Sequence, residues 1–157
     1  MTAISEAAIW ERLREVPDPE IPTISVVDLG IIRSVEVGET IRVALLPTFV
    51  GCPAIDVMRR DIAAKLADLG EVEVKVVYDE AWTTQRITLH GRKMLKKAHL
   101  VPPPPGDVAA EGDGEPVACP YCGSTETQLE NLFGPTPCRS IYYCRHCRQP
   151  FERFKPV

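Results

Sequence analysis

The chain has 157 residues, 45% of them apolar and 25% charged, with a formal charge of −4 at neutral pH. This is the composition of an ordinary globular protein with room for one full core and a small appendage. The negative balance argues against sequence-independent binding of nucleic acid by the whole protein, and no run of 18 apolar residues exists to span a membrane.

The N-terminal stretch MTAISEAAIWERLREV lacks the basic start and apolar core of a secretory signal, so a cytoplasmic location is expected. Six cysteines in such a chain suggest metal or redox chemistry rather than disulfides. Five of the six lie in the last 39 residues. Charge is also divided: residues 1–115 hold 13 basic and 19 acidic side chains, whereas residues 116–157 hold five and three. The two parts are expected to meet different partners.

Taken in order, Ser5 is a candidate N-cap for a first helix that ends before Pro17, with Ile9, Leu13 and Val16 as its buried stripe. The DPEIP segment, Asp18 to Pro22, is a rigid extended loop, because prolines at 17, 19 and 22 forbid regular structure. Two strands follow, Ile31 to Val37 and Thr40 to Leu46, around Gly38-Glu39, which suggests a type II′ hairpin turn. Ile41, Val43 and Leu45 alternate as a buried face. A second helix is expected from Pro53 to Leu69, striped by Ile55, Met58, Ile62, Leu66 and Leu69 and stopped at Gly70. Val72, Val74 and Val76 mark a third strand. Trp82-Thr83-Thr84 then leads into a third helix around Ile87 to His99. The order α-β-β-α-β-α predicts an α+β domain, a small mixed sheet with helices packed on one face. His90 and His99 read as surface residues.

Pro102 to Pro105 and the following GDVAAEGDGE read as a spacer. The expected organisation is therefore a domain over 1–101, a linker over 102–116 and a metal-binding piece over 117–157.

Between the second strand and second helix sits Cys52, in PTFVGCPAIDVM. With Pro53 in the first turn, Cys52 is a candidate N-cap, where the helix dipole would make the thiol lose its proton more readily. The other reading, and the commoner fate of a free cysteine, is a small buried hydrophobe. Asp28, in an otherwise apolar run, has two readings as well: support of an Asx-type turn, or a bond to loop N–H groups or iron.

The C-terminal piece carries Cys119-Pro-Tyr-Cys122 and Cys144-Arg-His-Cys147, separated by 21 residues. Two such pairs supply four soft ligands for one tetrahedral ion. Zinc is the default, and iron is the rival in a four-sulfur cage. Gly123 permits a left-handed backbone after the first pair. Thr127 to Phe133 and Ser140 to Tyr143 are strand-like, and Phe151 and Phe154 could cover them. So small a piece needs the metal for its folding energy, as in a structural zinc ribbon. Cys138 is a fifth thiol, with three readings: spare ligand, redox partner or packed residue. Arg139, Arg145, Arg148, Arg153 and Lys155 form a solvated or protein-facing surface rather than a nucleic-acid site.

DPEIPTISVVDLGIIRSVEV followed by LPTFVGCPAIDVM resembles the α/β domain of iron–sulfur cluster assembly proteins. With WTTQRIT and FGPTPCRSIYYCRHCRQPFERFK, the pattern narrows to the family of D (or J) subunits of bacterial phenylacetyl-CoA epoxidase systems. The resemblance implies functional positions at Asp18, Pro19, Glu20, Asp28, Gly30, Thr48, Cys52 and the four ribbon cysteines. It implies an accessory or maturation role in aerobic phenylacetate degradation, with the epoxidase subunits as partners, above all the flavin- and iron–sulfur-containing reductase. The alternative is a non-catalytic structural subunit of the oxygenase complex. The chain has neither a pair of Glu-x-x-His motifs nor a glycine-rich nucleotide loop, so it does not read as the catalyst. A single thiol at Cys52 suits transient capture of an iron–sulfur cluster, and a homodimer would bring two such thiols together. Asp18, Glu20, Asp28 and Thr48 would shape that transfer site.

Overall fold

The computed structural model describes residues 3–103 and 116–156. Positions 104–115, which hold most of the expected linker, lie outside the described residues. The chain forms two compact units: Met1–Trp82 with Arg86–Gly91, and Thr83–Gln85 with Arg92–Val157.

The first unit opens with α1 (Glu6–Leu13), capped by Ser5, whose hydroxyl accepts a 3.2 Å bond from the Ala8 N–H. The helix is shorter than the apolar spacing suggests. Val16 is buried from the loop instead, its N–H bonded to the carbonyl of Leu13. Strand β1 (Ile32–Val37) pairs antiparallel with β2 (Thr40–Leu45), and β2 pairs in parallel with β3 (Glu71–Val76). The sheet is mixed, in the order β1-β2-β3. Ile41, Val43 and Leu45 are buried, as their alternation requires.

The hairpin between β1 and β2 differs from the type II′ expectation. Val37 pairs with Ile41, which leaves three connecting residues, and neither Gly38 nor Glu39 has a positive φ. Helix α2 runs Ala54–Leu66 and buries Ala54, Met58, Ile62 and Leu66. Ile55 is only half-buried, and Leu69 lies beyond the helix end. Gly70 follows with φ 148°, a backbone state that favours glycine.

The third helix begins later than expected. Thr84–Arg86 forms a 3₁₀ turn and α3 spans Leu89–Lys97. The Thr88 hydroxyl accepts from the Gly91 N–H at 2.9 Å, capping α3.

The segment before α3 fastens the turn before β1. Trp82 is buried and donates its indole N–H to the carbonyl of Leu29 at 3.0 Å. Arg86 donates to the carbonyls of Gly30, at 2.8 Å, and Ile32, at 3.2 Å, and pairs with Glu80. Thr88 donates to Asp28 Oδ1 at 2.7 Å, and its N–H bonds the Asp28 carbonyl. Gly30 has φ 76°, and a Cβ there would lie 2.4 Å from the Arg86 carbonyl oxygen.

The second unit contains a four-stranded sheet in the order β4-β7-β6-β5. Strands β5 (Thr127–Asn131), β6 (Arg139–Cys144) and β7 (Pro150–Phe154) are antiparallel neighbours. The two-residue β4 (Leu100–Val101) joins the edge of β7 in parallel, an addition that the cysteine pattern does not announce. Phe151 and Phe154 are strand residues of β7, and Phe151 stacks on Tyr142 at 5.7 Å. The core around the cysteines is small: Cys119, Tyr142, Cys144 and Phe151, flanked by Val101, Val117, Leu129 and Cys147, with Leu95, Leu100 and Phe154 buried elsewhere in the unit. Arg92, buried in this unit, donates to the carbonyls of Thr84 and Pro103.

Gly30→Ala is expected to cost about 2–4 kcal/mol in a urea unfolding titration, from left-handed strain plus the collision with Arg86. A loss below about 0.5 kcal/mol would show that the turn is not fastened as described.

Candidate functional site

Two thiol sites stand apart in their chemistry. In the ribbon, each cysteine pair closes a knuckle of the same design. The Gly123 N–H bonds the Cys119 carbonyl and the Arg148 N–H bonds the Cys144 carbonyl, both at 2.8 Å. Gly123 and Arg148 both adopt left-handed φ, 77° and 61°. The second knuckle thus holds an arginine in the conformation for which the first uses glycine, a strained choice that spacing alone does not reveal.

The knuckles point four sulfurs at one spot, all within 4.8 Å of one another. The Cys119–Cys147 and Cys122–Cys144 separations are both 3.6 Å. That is too long for a disulfide bond. It is close to the ~3.8 Å between sulfurs of a tetrahedral site with 2.3 Å zinc–sulfur bonds. Four cysteines with no open place fit a structural zinc ion. N–H groups of the second knuckle, foremost that of Cys147, hold the Cys144 thiol down to about 7, which favours the thiolate a metal needs. Burial pushes Cys147 up, to about 12, in the absence of metal.

Cys138 is not a spare ligand of this centre. It precedes Arg139, which pairs with Phe154 at the far end of β6, whereas Cys144 ends the strand at the knuckle. Six residues of extended chain put the two about 20 Å apart. The Cys138 sulfur lies 3.0 Å from the Thr136 hydroxyl.

Cys52 closes the tight turn Phe49–Cys52, its N–H bonded to the Phe49 carbonyl at 3.2 Å. Gly51 supplies φ 76°, the positive φ that a type II turn needs in its third place. Val50, at the tip, is 87% exposed. The helix N-cap is Pro53 rather than Cys52, so the expected cap position is off by one residue. The thiol is half-buried, and the N–H groups of Ala54 and Ile55 still favour its anion. Burial outweighs them, and the carboxylates of Glu20 and Asp18 add to it, so the thiol is raised rather than lowered. The easily ionised thiol expected of an N-cap is therefore not present.

The DPE loop is brought to Cys52 by the fold. Asp18 is buried, and its Oδ1 accepts from the N–H groups of Glu20, at 2.9 Å, and Ile21, at 2.8 Å. It thereby shapes the loop that carries Glu20. Thr48 is half-buried in the segment between β2 and the Cys52 turn. Asp28 is taken up elsewhere: its Oδ2 accepts from the Ser25 hydroxyl at 3.1 Å and its Oδ1 from Thr88. His90, exposed, lies 3.9 Å from Asp28 Oδ2. The turn-supporting reading of Asp28 matches these bonds. Among the described residues, the ribbon cysteines are the one set of three or more His, Cys, Asp or Glu side chains whose ligand atoms converge.

Sequence reasoning missed Trp82, Arg86 and Thr88 as fasteners of the Asp28–Gly30 turn. The WTTQRIT motif was visible, but nothing local shows where its donors go.

Comparison with known proteins agrees with this architecture. Residues 6–77 match the iron–sulfur cluster assembly protein family, and residues 103–155 match the PaaD zinc beta ribbon domain. The fold and its metal centre thus define an iron–sulfur assembly domain joined to a zinc ribbon. More narrowly, the chain belongs to the family of phenylacetyl-CoA epoxidase D subunits. It is 39% identical to an Escherichia coli protein provisionally named as the D component of 1,2-phenylacetyl-CoA epoxidase, over 95% of this chain and 92% of the relative. The Fe-S protein maturation auxiliary factor YitW of Bacillus subtilis is 29% identical over 55% of this chain and 89% of its own. A crystal structure of a domain of unknown function, DUF59, from Bacillus anthracis aligns with TM-score 0.49 and 23% identity, covering 57% of this chain and 90% of that one. Among the described residues, no helix is long and apolar enough to cross a membrane.

Glu20→Gln removes one of the charges that disfavour the Cys52 thiolate, so iodoacetamide should alkylate Cys52 about two- to threefold faster at pH 8. Peptide mass spectrometry separates this site from Cys138. An unchanged or slower rate would contradict the electrostatic reading.

Proposed function

We propose that this chain is a maturation factor of a phenylacetyl-CoA epoxidase system, assisting assembly or insertion of an iron–sulfur cluster in the reductase subunit. The observation that carries the reading is the Cys52 site. A half-buried thiol sits at the mouth of a helix, with two N–H groups favouring its anion and two carboxylates opposing it. Such a thiol rests protonated and becomes a ligand when an incoming iron ion displaces the proton. That suits cargo held briefly. A resident cluster would call for four ligands, as the ribbon provides for its own metal.

The name of the Bacillus subtilis relative, an Fe–S maturation auxiliary factor, supports the same reading. So does the family of the chain, which ties it to an oxygenase system. In this reading Cys52 is the transfer ligand. Asp18 shapes the loop beside it, and Glu20 and Thr48 border the path of the cargo. Asp28 acts at one remove, by holding the turn to Thr88. The missing cluster ligands come from the recipient or from Cys52 of a second copy. The chain has no activity of its own and works in the cytoplasm with the epoxidase subunits.

Cys52→Ser, co-expressed with the reductase, should leave this chain folded and zinc-loaded while the reductase accumulates without its cluster. Visible absorbance and iron content of the purified reductase read the outcome. Reductase with normal cluster content would refute the proposal.

A further inference from the structure

The two units carry opposite charge. By sequence the first holds nine basic and 15 acidic side chains, a balance of −6, and the second nine basic and seven acidic, a balance of +2. The use of those charges differs as well. In the first unit every lysine and arginine except Arg60 is in an ion pair. In the second, Lys93, Lys96, Lys97, Arg145 and Arg148 pair with no carboxylate of the described residues.

These five cations are gathered at one end. Lys93, Lys96 and Lys97 are exposed at helical spacing on one face of α3. Just past that helix, His99 turns with φ 57° and stacks its ring on Tyr121 at 5.1 Å. Tyr121 is the half-exposed tip of the first knuckle. The second knuckle, its sulfurs 3.6 Å from those of the first, exposes Arg145 and Arg148. Two acidic residues border them among the described residues: Glu126, whose carbonyl accepts from the Arg145 N–H, and Glu130, which accepts from the Gln128 amide that the Arg145 guanidinium holds.

The metal centre offsets this charge. A divalent ion on four thiolates carries −2, which brings the unit to about zero. Lys96 and Lys97 also complement the C-terminal end of α3. The patch is therefore local rather than a net surplus: five exposed cations with no carboxylate partner among the described residues, edged by an aromatic pair. A polyphosphate chain would meet this patch on a molecule whose net charge is −4 and whose first unit is acidic. A protein face can be acidic over the patch alone, and rim charges of this kind steer such encounters.

We propose that the metal-binding end of the ribbon, with the lysine face of α3, docks an acidic face of the protein subunit on which this chain acts. The proposal rests on the functional reading above and names the surface by which it would be carried out.

The test measures affinity of the full chain for the purified reductase and the other epoxidase subunits at rising salt. Lys96→Glu/Lys97→Glu should bind about tenfold more weakly at 50 mM salt and show a shallower salt dependence. Arg60→Glu, on the first unit, should bind as the wild type does. Equal binding by the lysine variant, with unchanged circular dichroism and zinc content, overturns the docking surface and leaves the functional reading standing. If the wild type binds none of the subunits, the functional reading falls. A carboxymethyl resin at pH 7.5 then decides the surface by itself: lysine-dependent retention of this net-acidic protein supports it, and flow-through overturns it. Tighter binding of a single-stranded DNA oligonucleotide than of any subunit overturns it in favour of nucleic acid.

Discussion

The carbonyls of Leu29, Gly30 and Ile32 are each claimed by a side chain from the segment between β3 and α3. This fastening fixes where β1 starts. Strand β1 then sets the register of β2, pairing Ile32 with Leu45, and the end of β2 delivers the chain to the Cys52 turn. A three-stranded sheet has little core to hold a loop in place, so polar bonds to backbone do it. Asp28 belongs to the same device, because Thr88 reaches it while capping α3.

The ribbon meets the same shortage of core differently. Its apolar cluster is a handful of residues, two of them metal-ligating cysteines, so the metal is part of the fold rather than an addition to it. This separates the two kinds of thiol in the chain. Four converge on one spot and form the donor set of a single tetrahedral ion. Cys52, by contrast, stands at a helix mouth with its proton retained by burial and two carboxylates. The first site has a full set of ligands for a resident metal, and the second, in the function proposed above, takes its metal as cargo.

Legibility in the sequence followed the range of the interactions. The zinc ligands were plain, because two short Cys-x-x-Cys turns specify their own geometry. The Ser5 cap and the β2 alternation were equally local. The hairpin turn was misjudged because Gly38 invites a positive φ that the pairing of Val37 with Ile41 does not require. The β4 strand was invisible, since a two-residue edge is defined by β7, some 50 residues away in sequence. Of the two readings of Cys52, the buried thiol fits and the easily ionised N-cap does not. The helix end that lowers the pKa of the thiol is adjacent in sequence, whereas Asp18 and Glu20, which raise it, arrive through the fold. Cys138 looked close to the metal centre in sequence, but an extended strand carries it to the opposite end.

The central claim is that the ribbon keeps its own zinc while Cys52 handles iron as cargo. Zinc, iron and sulfide content per chain, measured on anaerobically purified wild type and Cys52→Ser before and after cluster reconstitution, tests it most directly. The account predicts one zinc per chain in both proteins, with added iron and sulfide in the wild type alone. Zinc in both and iron in neither, or equal iron in both, would contradict it.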